Sequence, residues 1–434
     1  MTVVSFREYE RIRVVPTLSA LDERALSVNE LRILEELGKR LNFPIIEHLS
    51  HSWIRPRQYV GAIQLPTRML EFLPKVESDA ADKESLPLVR HNLLKMLLVA
   101  YELDGANTDK AALAEHSGGW LDLLIRLFAG AMAEQIRRGL VKLYREAEED
   151  LPAVRGRILI DEQLRRNLVH RERTACAFDE FDENHALNQL FRAAITRMLR
   201  VAGTHGTQQA IRELLPAFEA VADVQPSRAW LDRVRLDRMS ERYDVCLGLA
   251  KLFLNGATTD LYAGEQDSFA LLFDMNEVFE RYIGKVMRRT LRPEGNEVLL
   301  QHTKYHLVRD VPGNRRLFQL RPDIVVTANG ASRCIVDTKW KRLQAVERKL
   351  GVAQPDLYQM LAYSERYGCE AVLLLYPWSD SGGKQPGVGA QFVFEGKTTR
   401  VTIGEISLQD LSTVPAQLQA LMSLAAPCTC DLCT

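Results

Sequence analysis

The chain has 434 residues, 46% hydrophobic and 26% charged, the composition of an ordinary globular protein that is too long for one typical core. Its 56 basic residues nearly cancel its 57 acidic ones, and a formal net charge of −1 excludes a global basic field that would pull nucleic acid onto the whole surface. No apolar run approaches the roughly 18–20 residues of a membrane span. Acids stand between Met1 and Glu10 where a signal peptide is apolar, and Cys246, Cys334 and Cys369 are scattered through apolar runs. A reduced, cytoplasmic protein with no membrane segment is expected.

The pattern divides the chain into a small β-rich region over residues 1–85, a mainly helical middle over 86–265, an α/β region over 266–427 and a cysteine-containing tail over 428–434. In the first region, Leu31, Leu34, Leu37 and Leu41 recur at helical spacing, with Ser27 or Asn29 to cap the start. Gln58–Leu65 and Met69–Pro74 flank Pro66-Thr67 and read as a hairpin. His48 and His51 have the spacing of one helix face but no third ligand nearby, so they are expected to be surface residues. Asp79–Ser85 reads as a linker.

The middle holds an amphipathic stripe at Leu93, Leu94, Leu97, Leu98 and Tyr101. A longer helix is expected from Leu121 through Leu140 and Leu143, stopped by Pro152. Arg155–Ile160 reads as extended chain. Leu187, Leu190, Phe191, Ala194, Ile195, Met198 and Leu199 form a third helix, with Asp182 and Glu183 near its positive end. The many arginines between Arg155 and Arg242 are nearly balanced by acids, as on a solvated surface.

In the last region Phe273–Met287 reads as a helix with Glu277 and Glu280 on it. Val298–Val308 reads as a strand and Asp310–Asn314 as a turn. Leu317–Val326 and Arg333–Lys339 are strands joined by Asn329-Gly330, a strong hairpin signal. Pairing them brings Asp323, Asp337 and Lys339 together at one end of a sheet. Two acids there can hold a hard cation through oxygen, and the lysine can orient a water beside a phosphate. A helix from Pro355 to Tyr363 and a buried strand from Ala371 to Tyr376 complete the order α-β-β-β-α-β.

Arg321-Pro322-Asp323 followed by Asp337-Thr338-Lys339 resembles the signature of the PD-(D/E)xK nucleases, whose common core has this order of elements. The overall fold class is therefore a multidomain α+β or α/β protein ending in a restriction-endonuclease-like domain. Gln359 and Tyr363 match the Q-x-x-x-Y element of the RecB-like branch. Arg90–Tyr101, Gly139–Arg157, and Ala177–Phe181 with Asn184, Leu187 and Asn188 resemble blocks of the McrC family, the nuclease subunits of McrBC modification-dependent restriction systems. The likeness covers most of residues 55 to 380.

The resemblance implies that Asp323, Asp337 and the main-chain carbonyl of Thr338 bind Mg²⁺, with Mn²⁺ as a substitute. It implies that Lys339 stabilises charge or positions water and that Glu280, preferred over Glu277, completes the site. Gln359, Tyr363, Lys341 and Arg342 would support the centre or touch DNA, and Trp340 would either stack on DNA or pack. The implied partners are a McrB-like AAA+ NTPase ring, met by residues 1–85, and double-stranded, modified DNA. The alternatives are a stand-alone RecB-like repair nuclease and a non-catalytic activator of a AAA+ ring.

Gly396-Lys397-Thr398 resembles the end of a phosphate-binding loop, but Gln391 stands where that loop needs glycine, so a hairpin turn is expected and no nucleotide site. Cys428, Cys430 and Cys433 lack the spacing of a metal-binding set even with Cys246 as a fourth ligand.

Overall fold

The computed structural model describes residues 2–75 (except 20, 21 and 23), 86–103, 118–256 (except 171), 261–262, 267–343, 351–379 and 385–425. The expected linker at 79–85 and the cysteine tail lie outside the described residues. The leucine stripe forms the helix Val28–Leu41, and Ser27 rather than Asn29 caps it. The Ser27 hydroxyl accepts from the Glu30 amide, and the Glu30 carboxylate accepts from the Ser27 amide. His48 lies on the strand Ile46–Ser50, not on a helix, and its Nε2 is 2.8 Å from Glu35.

The hairpin about Pro66-Thr67 is present, with Tyr59–Gln64 antiparallel to Arg68–Leu73. Thr2–Arg7 runs parallel to Arg68–Leu73, and Asp267–Asp274, two hundred residues further on, pairs antiparallel with Tyr59–Gln64. Gly61 permits that closure. Its φ is +135°, and a Cβ there would lie 2.0 Å from the Leu271 carbonyl oxygen. Because of this long-range pairing, residues 2–104 and 259–434 form one compact unit and residues 105–258 another. The helix Leu86–Ala100, read from the sequence as the start of the middle, belongs with the former.

Within the second unit the helix over 121–143 is shorter than expected. It runs Trp120–Arg137 and ends beside Gly139, whose φ is +84°. Leu143–Leu151 is instead a strand, antiparallel to Thr174–Asp182, which also pairs with Arg157–Ile158. Leu140 and Leu143, three apart, fit a helix stripe as well as a strand entry, so spacing alone misplaced them. The third helix is Ala186–Val201, and it buries Leu187, Leu190, Phe191, Ala194, Ile195 and Met198. Phe191 stacks on Tyr243 with centroids 5.5 Å apart.

The C-terminal residues form a six-stranded mixed sheet in the order Glu297–Leu300, Ile324–Ala328, Ala331–Thr338, Ala371–Pro377, Arg400–Ile406, Gly387–Val393. Asn329 and Gly330 both have positive φ, 52° and 78°, as a two-residue hairpin turn requires. Two strands expected as single pieces are broken. Val298–Val308 divides at Gln301, whose φ is +50°, and Leu317–Val326 divides at Arg321-Pro322, where proline offers no amide to the ladder. The pieces released, His306–Arg309 and Arg316–Gln319, pair only with each other in a two-stranded ribbon outside the sheet.

Met275–Leu291 buries Val278, Phe279, Tyr282 and Ile283, and Gln354–Tyr367 buries Met360 and Tyr363. Phe273, expected at the helix start, ends the preceding strand, and the Asp274 carboxylate caps the helix by accepting from the Asn276 amide. Gly396, with φ +73°, sits in the hairpin between Gly387–Val393 and Arg400–Ile406. Cys176, Cys246, Cys334 and Cys369 are buried and free. Among the described residues no helix is long and apolar enough to cross a membrane.

Candidate active site

The site grows from the hairpin around Asn329-Gly330. Ile324 pairs with Val336, so one step toward the sheet's end sets Asp323 opposite Asp337. Pro322 ends the ladder there and frees Asp323 to reach across. Its Oδ2 accepts from the Thr338 amide at 2.8 Å and the Thr338 hydroxyl at 2.9 Å. Asp337 is 1% exposed, and its Oδ2 lies 2.6 Å from Lys339 Nζ. The Lys339 amide donates to the Leu375 carbonyl at 2.9 Å, which extends the parallel pairing and fixes where the lysine leaves the sheet.

The helices supply the rest. Glu280 is half-buried and accepts from Gln301 Nε2, while the Gln301 amide donates to the Asp323 carbonyl at 2.8 Å. Glu277, three residues earlier, is exposed and paired with Arg281. On the helix Gln354–Tyr367, Gln359 Oε1 is 3.5 Å from Lys339 Nζ, and Gln359 Nε2 donates to the Tyr363 hydroxyl at 2.8 Å. That hydroxyl donates in turn to the Arg321 carbonyl at 3.0 Å, which ties this helix to the chain just before Asp323.

Electrostatically this is a buried acidic cluster around one lysine. Burial, followed by the charge of Asp323, pushes Glu280 up to about 7. Burial and then Asp323 raise Asp337, and burial raises Asp323 even though the Thr338 hydrogen bonds favour its charged form. Burial pulls Lys339 down, but Asp337, Asp356 and Asp323 outweigh it and hold the ammonium above its ordinary value. Asp337 and Lys339 thus shift the same way. The lysine has several carboxylates to face, whereas Asp337 has one lysine to set against burial and a second acid.

Carboxylate oxygens in excess over cations are the donor set of a hard divalent ion, which removes the repulsion among them. Among the described residues no three side chains are gathered closely enough to hold an ion unaided. Two acids, a main-chain carbonyl, waters and substrate oxygens is the arrangement magnesium usually takes.

Of the sequence candidates, Asp323, Asp337, Thr338, Lys339, Glu280, Gln359 and Tyr363 are brought together. Lys341 is exposed at the rim, 3.6 Å from Asp356. Arg342 turns elsewhere and donates to the Lys75 carbonyl at 3.0 Å. Trp340 packs: it is 6% exposed, lies 5.3 Å from Phe279 between ring centroids, and donates to the Glu8 carboxylate at 3.0 Å. Asp356, 3.8 Å from Lys339, and Gln301 are the residues that sequence reading missed. Asp356 was findable, since it precedes Gln359 by three and Tyr363 by seven, the spacing of one helix face.

A sequence profile described as "McrBC 5-methylcytosine restriction system component" matches residues 54–377. No curated protein matches the chain. A refined half-complex from a tetradecameric assembly of Thermococcus gammatolerans McrB AAA+ hexamers with bound McrC contains a chain of similar fold. The TM-score is 0.69 at 20% identity, covering 96% of this chain and 99% of that one. The cryo-EM structure of the Thermococcus gammatolerans McrBC complex gives a TM-score of 0.50 at 22% identity, covering 67% of this chain and 88% of the other.

Proposed function

Because the chain belongs to the McrBC family of 5-methylcytosine restriction system components, we propose that it is the McrC-type, Mg²⁺-dependent DNA endonuclease subunit of such a system. It would work in the cytoplasm with a McrB-like AAA+ NTPase ring, and its C-terminal domain would be of the PD-(D/E)xK class. The observation that carries the proposal is the convergence of Asp323 and Asp337 on Lys339 at one end of the mixed sheet, with Glu280 within electrostatic reach of both acids. In support of the partner, the similar chain comes from an assembly of McrB hexamers with bound McrC. The near-neutral charge of this chain is in keeping with DNA being brought to it.

Asp323 and Asp337 would hold the ion with the Thr338 main-chain carbonyl. When bound, Mg²⁺, or Mn²⁺ in its place, activates water and offsets charge on the phosphate. The residues of the chain do the rest. Thr338 holds the Asp323 carboxylate in place, Gln359 and Tyr363 position Lys339 and the Arg321 carbonyl, and the Lys339 ammonium faces the charge that develops on a phosphodiester. Glu280, shifted toward neutrality, stands where a proton or a metal-bound water would be taken up.

The test combines the chain with its AAA+ partner, methylated DNA, Mg²⁺ and GTP or ATP. Asp337→Ala and Lys339→Ala should each cut on the order of 10²–10³-fold more slowly while stimulating the partner's NTP hydrolysis as the parent does. Cleavage at parental rates by either variant would refute the site. Parental chain that stimulates hydrolysis but fails to cut DNA whichever metal is supplied would be an activator only. Cutting of DNA ends with no NTPase present would make it a stand-alone nuclease.

A further inference from the structure

Glu297–Leu300 and Ile324–Ala328 are adjacent antiparallel strands that a two-residue turn could join. Residues 301–323 join them instead, and the middle of that connection is the ribbon of His306–Arg309 and Arg316–Gln319. Its base is firmly held. The Leu320 amide donates to the Tyr305 carbonyl at 2.8 Å, and Tyr305 packs edge-on to Tyr367, with centroids 4.6 Å apart. The Tyr367 hydroxyl donates to the His302 carbonyl at 2.8 Å. The ribbon therefore rises from the helix that carries Gln359 and Tyr363, and its two ends run directly into Gln301 and Asp323.

Beyond the base the ribbon is largely exposed, with Leu307, Val308 and Arg309 all open to solvent. All of Arg316–Gln319 is exposed, Phe318 is 71% exposed and Val311 at the tip is 92% exposed. Its charge is one-sided: Lys304, Arg309, Arg315, Arg316 and Arg321 stand against the single acid Asp310. Arg309 is the direct cross-strand neighbour of Arg316. Like charges placed opposite one another destabilise a two-stranded ribbon. Such a pairing suits a ribbon whose counter-charge arrives from outside.

From these features we infer that the ribbon is the chain's grip on duplex DNA beside the cutting centre, laid along a groove with Arg309, Arg315 and Arg316 on phosphates. The inference rests on the reading of the site as a DNA nuclease. Four residues per strand reach about 13 Å, and a major groove about 12 Å wide admits a two-stranded ribbon. Phe318 and Val311 supply apolar contact to sugars and thymine methyls. A second copy of the chain is a poorer occupant, since its own ribbon would bring the same arginines against these.

The test measures binding of the full chain to a duplex oligonucleotide by fluorescence anisotropy over a salt series. The triple variant R309Q/R315Q/R316Q should lose about tenfold or more in affinity at low salt. Its slope of log K against log salt should be shallower by about 2–3, at ~0.9 per phosphate contact. R309K/R315K/R316K should restore the slope, and the glutamine variant should melt no lower than the parent. Unchanged affinity and slope would overturn the inference, as would altered sedimentation with unaltered DNA binding, which would assign the ribbon to contacts between copies. The outcomes separate from those for the nuclease reading. A parent that cuts nothing while its binding still depends on these arginines sinks the nuclease and leaves the grip, and a parent that binds no duplex sinks the grip itself.

Discussion

Glu277 and Glu280 lie three residues apart on one helix, and their spacing alone could not rank them. Packing does. Val278 and Phe279 face the core, so the helix turns Glu280 toward Asp323 and leaves Glu277 in solvent with Arg281. Glu280→Gln should therefore slow cleavage by roughly 10–100-fold, as loss of a group supporting a metal site does. Glu277→Gln should leave the rate unchanged, because an exposed ion pair contributes little. Equal rates for the two variants in the reconstituted cleavage assay would remove Glu280 from the site. Asp356 shows the opposite limit of residue-level reading. Its helical phase with Gln359 and Tyr363 was visible, but spacing alone did not say that its carboxylate would come within 3.8 Å of Lys339.

At the scale of elements, the first strand of the chain meets the segment that leaves the strand Ala331–Thr338. Glu8, just past Thr2–Arg7, is 1% exposed and accepts from the Trp340 indole at 3.0 Å and the Lys75 amide at 3.2 Å. Burial outweighs those donors and pushes it up to about 8 from the usual carboxylate range. The folded state thus keeps a proton that the unfolded chain has released over that interval. The contribution to stability is full below the unfolded value of about 4.5 and declines as pH rises toward 8, by about 1.4 kcal/mol per pH unit. Glu8→Gln should lack this slope, so urea denaturation at about pH 5 and about pH 8 should show the variant gaining on the parent with pH. Parallel pH curves would mean that Glu8 is ionised in the fold. The ribbon and the divided strands around it belong to this scale too. Apolar alternation predicted long strands, while Gln301 and Pro322 stopped them.

For the whole molecule, the first hundred residues and the last one hundred and seventy fold as one unit because Asp267–Asp274 is a strand of the N-terminal sheet. A fragment of residues 259–434 would expose the ladder edge that Tyr59–Gln64 covers, and with it Phe269, Leu271 and Phe273. Expressed alone it should aggregate, and co-expression with residues 2–104 should recover soluble protein that copurifies. Recovery of a monodisperse 259–434 fragment in a sizing experiment would show that the C-terminal sheet stands without that strand pairing.

Much of the site was legible before folding. Pro322-Asp323, Asp337-x-Lys339 and the Asn329-Gly330 turn are all local, and the turn fixes the pairing beside it, Ala328 with Ala331 and Thr327 with Ser332. A bulge at Arg333 then shifts the register by one residue, and that shift, which the turn does not encode, sets Asp323 opposite Asp337. The capping box at Ser27 and the helix face of Gln359 and Tyr363 were likewise local, set by contacts three or four residues apart. What only the tertiary structure decided depends on pairing across long stretches of chain. The strand after residue 266 closes a sheet begun at residue 2, Trp340 is buried by Glu8, and residues 301–323 rise as a charged ribbon instead of a turn. No local pattern encodes which distant edge a strand will meet, because backbone hydrogen bonds are the same for every partner and only packing and charge select among them.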